Sequence, residues 1–284
     1  MTLILIWTTG AAVAAYAFAI AYGGSRWSGK TRERVAQMQA GRVTPTTTRH
    51  HAIEIAGLPA PVQRYFQAAL TDAQQIIATA EVTQKGTFNM SATADQWKPF
   101  TATQVVQTNR PGFVWNAKIM LFPGLPVRVV DAYVAGNGTL RPSILGLYPM
   151  ADMHGSGEIA RGELMRWFSE IKWCPTALLP SQGVVWQSVD DHSATATVTD
   201  GPLTLTLLFR FGADGLIASV HADARAQMNA AAVVMTLWDC TISDYRSRDG
   251  MLVPFVATAG YTGPSGLRDY FRGTLVSVDY TFAG

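Results

Sequence analysis

A chain of 284 residues with a formal charge of +2, 48% hydrophobic and 15% charged, is too apolar to be disordered and too nearly neutral to read as a nucleic-acid binder. Its two cysteines, Cys174 and Cys240, are far apart and outside any Cys-x-x-Cys spacing, which excludes a disulfide framework and a thiol redox motif. No Gly-rich phosphate loop and no set of ligands at metal spacing occurs, so neither a cofactor nor a metal is expected.

Leu3 to Tyr22 carries no charged residue. Twenty residues of helix rise about 30 Å, the hydrocarbon thickness of a bilayer. Trp7 at one end and Tyr22 and Trp27 at the other suit the two interfaces. Residues 1–24 are therefore expected to form a transmembrane anchor. The rival is a cleaved signal peptide: Ala19-Ile20-Ala21 is an acceptable cleavage pattern, but Met1-Thr2 supplies no basic n-region. Residues 25–52 read as a basic juxtamembrane linker, within which KTRERVAQMQA has the pattern of a short surface helix. Arg26, Lys30, Arg32 and Arg34 lie near enough to the bilayer to meet anionic headgroups. His50 and His51 lack the Cys or carboxylate partners that would make a metal site.

The remainder, 53–284, reads as one β-rich domain. Pro61 suits a first helical position, and Val62, Tyr65, Phe66, Ala69 and Leu70 form one apolar face, so a capping helix is expected over 60–70. From Ala80 onward period two dominates, as in Phe113, Trp115, Ala117, Ile119 and Leu121, in Leu203 to Phe211, and in Val276, Val278, Tyr280 and Phe282. Asn137-Gly138, Asp200-Gly201, Asp214-Gly215 and Asp249-Gly250 are tight-hairpin signals. One helix interrupts this pattern, expected over 156–172. Leu164, Trp167, Phe168 and Ile171 share one face, and Glu163, Arg166 and Glu170 form a polar stripe. Pro175 ends the helix, and Thr176 to Pro180 follow as an apolar coil. The fold class is α+β: a large twisted antiparallel sheet, half-barrel-like, wrapped around one central helix, with an N-terminal transmembrane helix.

Several segments carry a resemblance to a known family. They are Leu58-Pro59-Ala60-Pro61-Val62-Gln63-Arg64-Tyr65-Phe66, Pro111 to Ala117, Asp131-Ala132-Tyr133-Val134, Gly162-Glu163-Leu164-Met165-Arg166-Trp167, Trp173 to Pro180 and Asp269-Tyr270-Phe271-Arg272-Gly273. The chain resembles an uncharacterised bacterial family, a domain of unknown function with an N-terminal membrane helix. It departs from that pattern at Thr236 to Cys240 and at Tyr261. A looser resemblance is to lipoprotein-carrier half-barrels, which hold acyl chains over a helix. The resemblance implies a fold and a topology, with no activity to carry over. It fits a single-pass protein of the bacterial inner membrane. The positive-inside rule puts the main domain in the cytoplasm, with a periplasmic placement left open.

Asp131 shares a strand face with Val127, Val129 and Tyr133, which points it toward the core, where Arg166 is its natural partner. Asp131, Glu163 and Arg166 are candidate catalytic residues, since two carboxylates flanking an arginine suit acid–base chemistry. The alternative is a structural ion pair locking helix to sheet. Trp115, Tyr133, Leu164, Trp167, Phe168, Trp173 and Trp186 are candidate ligand-binding residues, able equally to be plain core. His154, His221, Ser156 and Ser265 lie in no motif that supports metal or serine hydrolase chemistry. The leading expectation is a membrane-anchored binding module with an apolar ligand, a lipid or acyl group, in the concave face of the sheet. An enzyme using the acid–base cluster and a non-catalytic membrane scaffold are the alternatives.

Overall fold

The computed structural model describes the backbone of residues 2–91, 93–229, 232–264 and 266–284, and side chains outside 1–6 and 228–233. Ser265 thus lies outside the described residues. The chain lays down β1 (Ile77–Asn89), β2 (Trp97–Gln107), β3 (Gly112–Phe122), β4 (Leu125–Val134) and β5 (Asn137–Ile144) as an antiparallel meander. It adds the short β6 (Tyr148–Pro149) and β7 (Met153–Gly155) against β5, then crosses over as a helix. It returns as β8 (Val185–Asp190), β9 (Ser193–Asp200), β10 (Leu203–Phe211), β11 (Ile217–Asn229), β12 (Ala232–Arg248), β13 (Met251–Gly263) and β14 (Gly266–Phe282). The last strand pairs with the first, Ile77 opposite Phe282 and Phe88 opposite Phe271. One 14-stranded sheet results, two wings sewn together at β1 and β14.

Turn chemistry explains the corners. Asp249 and Gly250 have φ of 48° and 80°, left-handed at both central positions as a tight hairpin requires. Between β4 and β5 the turn residues are Ala135 and Gly136, and Asn137 already pairs with Val134. The Asn137-Gly138 signal is therefore displaced by two residues. Gly138 serves a packing purpose instead. A Cβ there would sit 2.6 Å from the Ile159 carbonyl, so glycine lets a helix backbone pass.

The N-terminus is helical well past the expected anchor. α1 (Thr2–Ala40) is one unbroken helix running through the boundary between the 1–24 anchor and the 25–52 linker. The basic stretch stays helical because Trp27, Val35 and Met38 have a surface to pack on, the outer faces of Val114, Val130 and Ala132. Those positions of β3 and β4 are consequently buried on the side expected to be wet. Met38 lies beside Gly112, Gly23 against Leu145 and Leu147, and the Tyr16 hydroxyl donates to the Gly124 carbonyl at 2.7 Å. Residues 7–15 lie beyond that β3–β4 turn, exposed. Among the described residues no helix is long and apolar enough to cross a membrane; the run Leu3–Ile6 falls outside the described side chains.

Inside the curve, α2 (Ala60–Ala69) buries Val62, Tyr65, Phe66 and Ala69 and closes one end against β9 and β13. α3 (Glu158–Glu170) crosses the concavity and is followed by 3₁₀ turns at Ile171–Trp173, Pro175–Leu178 and Pro180–Gln182, in place of the expected coil. Leu164, Trp167, Phe168 and Ile171 are at most 2% exposed. Burial of each contributes roughly 1.5–3 kcal/mol. Cys174 and Cys240 are both free and buried.

Candidate functional site

The polar stripe of α3 meets the sheet at one place. Arg166 pairs with Asp131 on β4, and its Nε donates to Glu170 Oε1 at 3.0 Å. The guanidinium also lies over the rings of Phe113 and Trp115, 5.1 and 4.6 Å from their centroids. Glu170 Oε2 accepts from Gln104 Nε2 at 2.7 Å, and Trp115 Nε1 donates to Gln84 Oε1 at 2.9 Å. Burial draws the Arg166 proton off, but Glu170, Asp131 and Glu163 together more than offset this and hold its pKa above the ordinary arginine range. The guanidinium is a permanent charge.

Glu163 is the anomaly. It is 5% exposed, and burial, then the charge of Asp131, push its carboxyl well above the ordinary range, against the pull of Arg166 and Arg225. Asp131 Oδ1 and Glu163 Oε2 are each buried without a donor among the neighbouring N–H and O–H groups. A proton on Glu163 directed at Asp131 would satisfy both oxygens. The structure therefore brings the three candidate catalytic residues together, in a buried latch between helix and sheet rather than in an open cleft.

All seven candidate ligand-binding residues face the interior and are buried. Trp167 Nε1 donates to the Gln107 carbonyl at 2.9 Å, and Trp186 Nε1 to the Leu178 carbonyl at 3.0 Å. Phe168 and Trp186 meet at the ring of Phe209, 5.7 and 5.1 Å away. Tyr133 donates to Asp200 Oδ2 at 2.7 Å, tying β4 to the start of the β9–β10 turn. Trp173 lies under the Lys172 ammonium at 4.8 Å, and Leu164 is fully buried on the α3 seat. The concave face of the sheet, where the apolar ligand is expected, is occupied by α3 and the 3₁₀ turns. Cavities instead lie beneath α1: one of about 50 Å³ against β4 and β5, and a shallower one of about 340 Å³ against β2 and β3.

The end of the half-barrel opposite α2 carries a half-buried aromatic group. Phe88 and Met90 from β1 and its turn, Tyr261 from β13, and Tyr270 and Phe271 from β14 extend the concave core as a half-buried rim. Phe88 and Tyr270 meet edge to face at 5.7 Å, and Tyr261 stacks on Tyr270 at 5.3 Å. Below them Arg225 stacks 4.9 Å over Trp238 with one terminal nitrogen unpartnered, and exposed Leu237 and Leu267 edge the rim. Sequence reasoning missed this group. Arg225 and Tyr270 lie on strands whose inward face only the sheet register reveals, although Tyr270-Phe271 falls in one of the segments that carry the family resemblance.

His221 carries carboxylates on both ring nitrogens, Asp239 at 2.8 Å and Asp223 at 3.1 Å, and His50 bonds Glu54 at 2.6 Å. No group of three or more metal-ligating side chains occurs among the described residues.

No curated protein matches the chain. Solved structures with a similar course include a LolA superfamily protein from Nitrosomonas europaea, 9% identical over 78% of this chain and 94% of that one, with a TM-score of 0.42. Another is a beta-barrel-like protein of the domain of unknown function DUF1849 from Brucella abortus, 10% identical over 72% of this chain and 99% of that one, with a TM-score of 0.22. The model of a family of unknown function, DUF6920, matches residues 56–280, from the approach to α2 into the last strand, and the chain belongs to that family.

Proposed function

We propose that this protein is a membrane-tethered binding module that takes an apolar chain, a lipid or acyl group, into the rim end of its half-barrel. The observation that carries the reading is one of direction. The β1–β2 and β3–β4 turns lie at the same end of the sheet, with Lys98 stacked 5.1 Å from Phe122, and α1 projects past that end from Tyr16 toward its N-terminus. The half-buried rim of Phe88, Met90, Tyr261, Tyr270 and Phe271 therefore opens on the side toward which α1 points.

Anchoring by α1 is supported by its surface. Trp7, Val13 and Phe18 are 74, 64 and 70% exposed on a stretch with no protein cover. A helix apolar on all sides is stable only in a protein core or a membrane. Tyr148, 70% exposed, has the amphipathic ring that a membrane interface prefers.

Native mass spectrometry of the full chain, extracted gently from membranes, tests the reading. A co-purifying lipid is expected, and Phe88→Asp with Tyr270→Asp should abolish it while circular dichroism shows an intact sheet. A wild-type protein that carries no lipid and takes up none from mixed micelles overturns the proposal.

A further inference from the structure

The cleft of about 50 Å³ under α1 is lined on the helix side by Arg26, Lys30 and Arg34 and on the sheet side by Arg141 and Ser143. Arg128 stands at its edge, against both Gly24 and Gly146: a Cβ on either would lie 2.8–2.9 Å from the Arg128 side chain. Two glycines, one on each element, thus make room for a fifth cation.

These cations are poorly matched by protein anions. Arg26 and Lys30 have no carboxylate at ion-pair distance among the described residues. Arg34 donates to the Thr139 hydroxyl at 2.9 Å, and Arg128 Nε is buried without a partner. Arg141 has Asp152 at 3.7 Å, a side chain 44% exposed. Burial, and then the charge of Arg141, lower the pKa of Arg34, and burial lowers that of Arg128. The fold holds like charges together at a cost, which a bound anion removes. A water needs about 10–15 Å³ by the same measure, so the cleft has space for one tetrahedral oxyanion. Arginine forks suit phosphate oxygens in that geometry.

The geometry points to a phosphate-binding site between α1 and the β4–β5 pair, taking either a phospholipid headgroup or a free phosphate. The phosphate chemistry does not depend on the apolar ligand assigned to the rim.

The test uses the full chain in zwitterionic micelles. One arm adds phosphatidylglycerol or phosphatidylcholine and reads retained lipid by native mass spectrometry. The other adds inorganic phosphate, against sodium chloride at equal ionic strength, and reads the thermal midpoint. Retention of phosphatidylglycerol alone assigns a headgroup; a rise with phosphate alone assigns a soluble ligand; both together assign any accessible phosphate. Arg34→Gln with Arg141→Gln should weaken the effect about tenfold or more, whereas Arg32→Gln, on the same helix outside the cleft, should not. Should the double variant fail to fold, Arg26→Gln with Lys30→Gln, on the exposed helix surface, must weaken it several-fold. No response in either arm, or equal losses from Arg32→Gln, overturns the site. Phe88→Asp with Tyr270→Asp leaves the phosphate response unchanged, so failure at the rim and failure at the cleft are told apart.

Discussion

Glu163 is where the molecule departs furthest from an ordinary helix–sheet contact. Its folded pKa lies above the unfolded value of about 4.5, so the folded state binds the extra proton. The stability this residue supplies is complete below that unfolded value and is lost as pH rises through the folded one. Thermal midpoints of the wild type should therefore fall from about pH 4.5 upward, and Glu163→Gln, which keeps a donor for Asp131, should flatten that decline. An unchanged slope would show that the proton is not held there. Asp131→Asn tests the other half of the latch. It leaves Arg166 with Glu170 but without its sheet partner, and a loss of about 3–5 kcal/mol is expected by denaturant unfolding. A loss below 1 kcal/mol would mean that Glu170 alone suffices. The Asp131–Arg166 pair was legible from the sequence, because strand alternation fixed one residue's face and helical spacing the other's. The shared proton was not, since it depends on Glu163 being sealed from water by strands distant in sequence.

Among the elements, α3 was legible almost to the residue, since its apolar and polar stripes follow from i, i+3, i+4 spacing and Pro175 marks its end. The continuity of α1 is not legible in the residues, because its polar half offers only Trp27, Val35 and Met38 to bury, too little to fix a helix without the sheet surface beneath them. That surface makes a prediction. Deleting residues 1–22 should leave the domain folded, whereas deleting 1–41 uncovers Val114, Val130 and Ala132 and should lower the thermal midpoint and promote aggregation in size-exclusion chromatography. Equal behaviour of the two truncations would show that the helix contributes nothing to the fold. Gly138→Ala probes the crossing of α3 over β5. The added methyl meets the Ile159 and Ala160 backbone at 2.6–2.7 Å, and a loss of about 1–3 kcal/mol is expected. Stability within about 0.5 kcal/mol of the wild type would mean that α3 rides higher over β5.

At the scale of the whole molecule, alternating apolar residues and Gly-containing turns gave the antiparallel class, but not the order of the strands. A meander returning on itself reads the same, residue by residue, as two separate sheets. What joins the wings is Ile77 opposite Phe282, a pairing between the two ends of the β-rich region that no local pattern encodes. The helix α3 is both the link between the outer edges of the wings and the filling of their shared hollow.

The seam has a consequence for biosynthesis. A ribosome releases β1 early and β14 last, and at about 5–20 residues per second the wait between them is on the order of ten seconds or longer. Throughout that interval one side of β1 stands as a bare template with its backbone groups unclaimed. The nascent first wing thus needs a temporary guardian such as a chaperone until β14 emerges to zip the two halves shut.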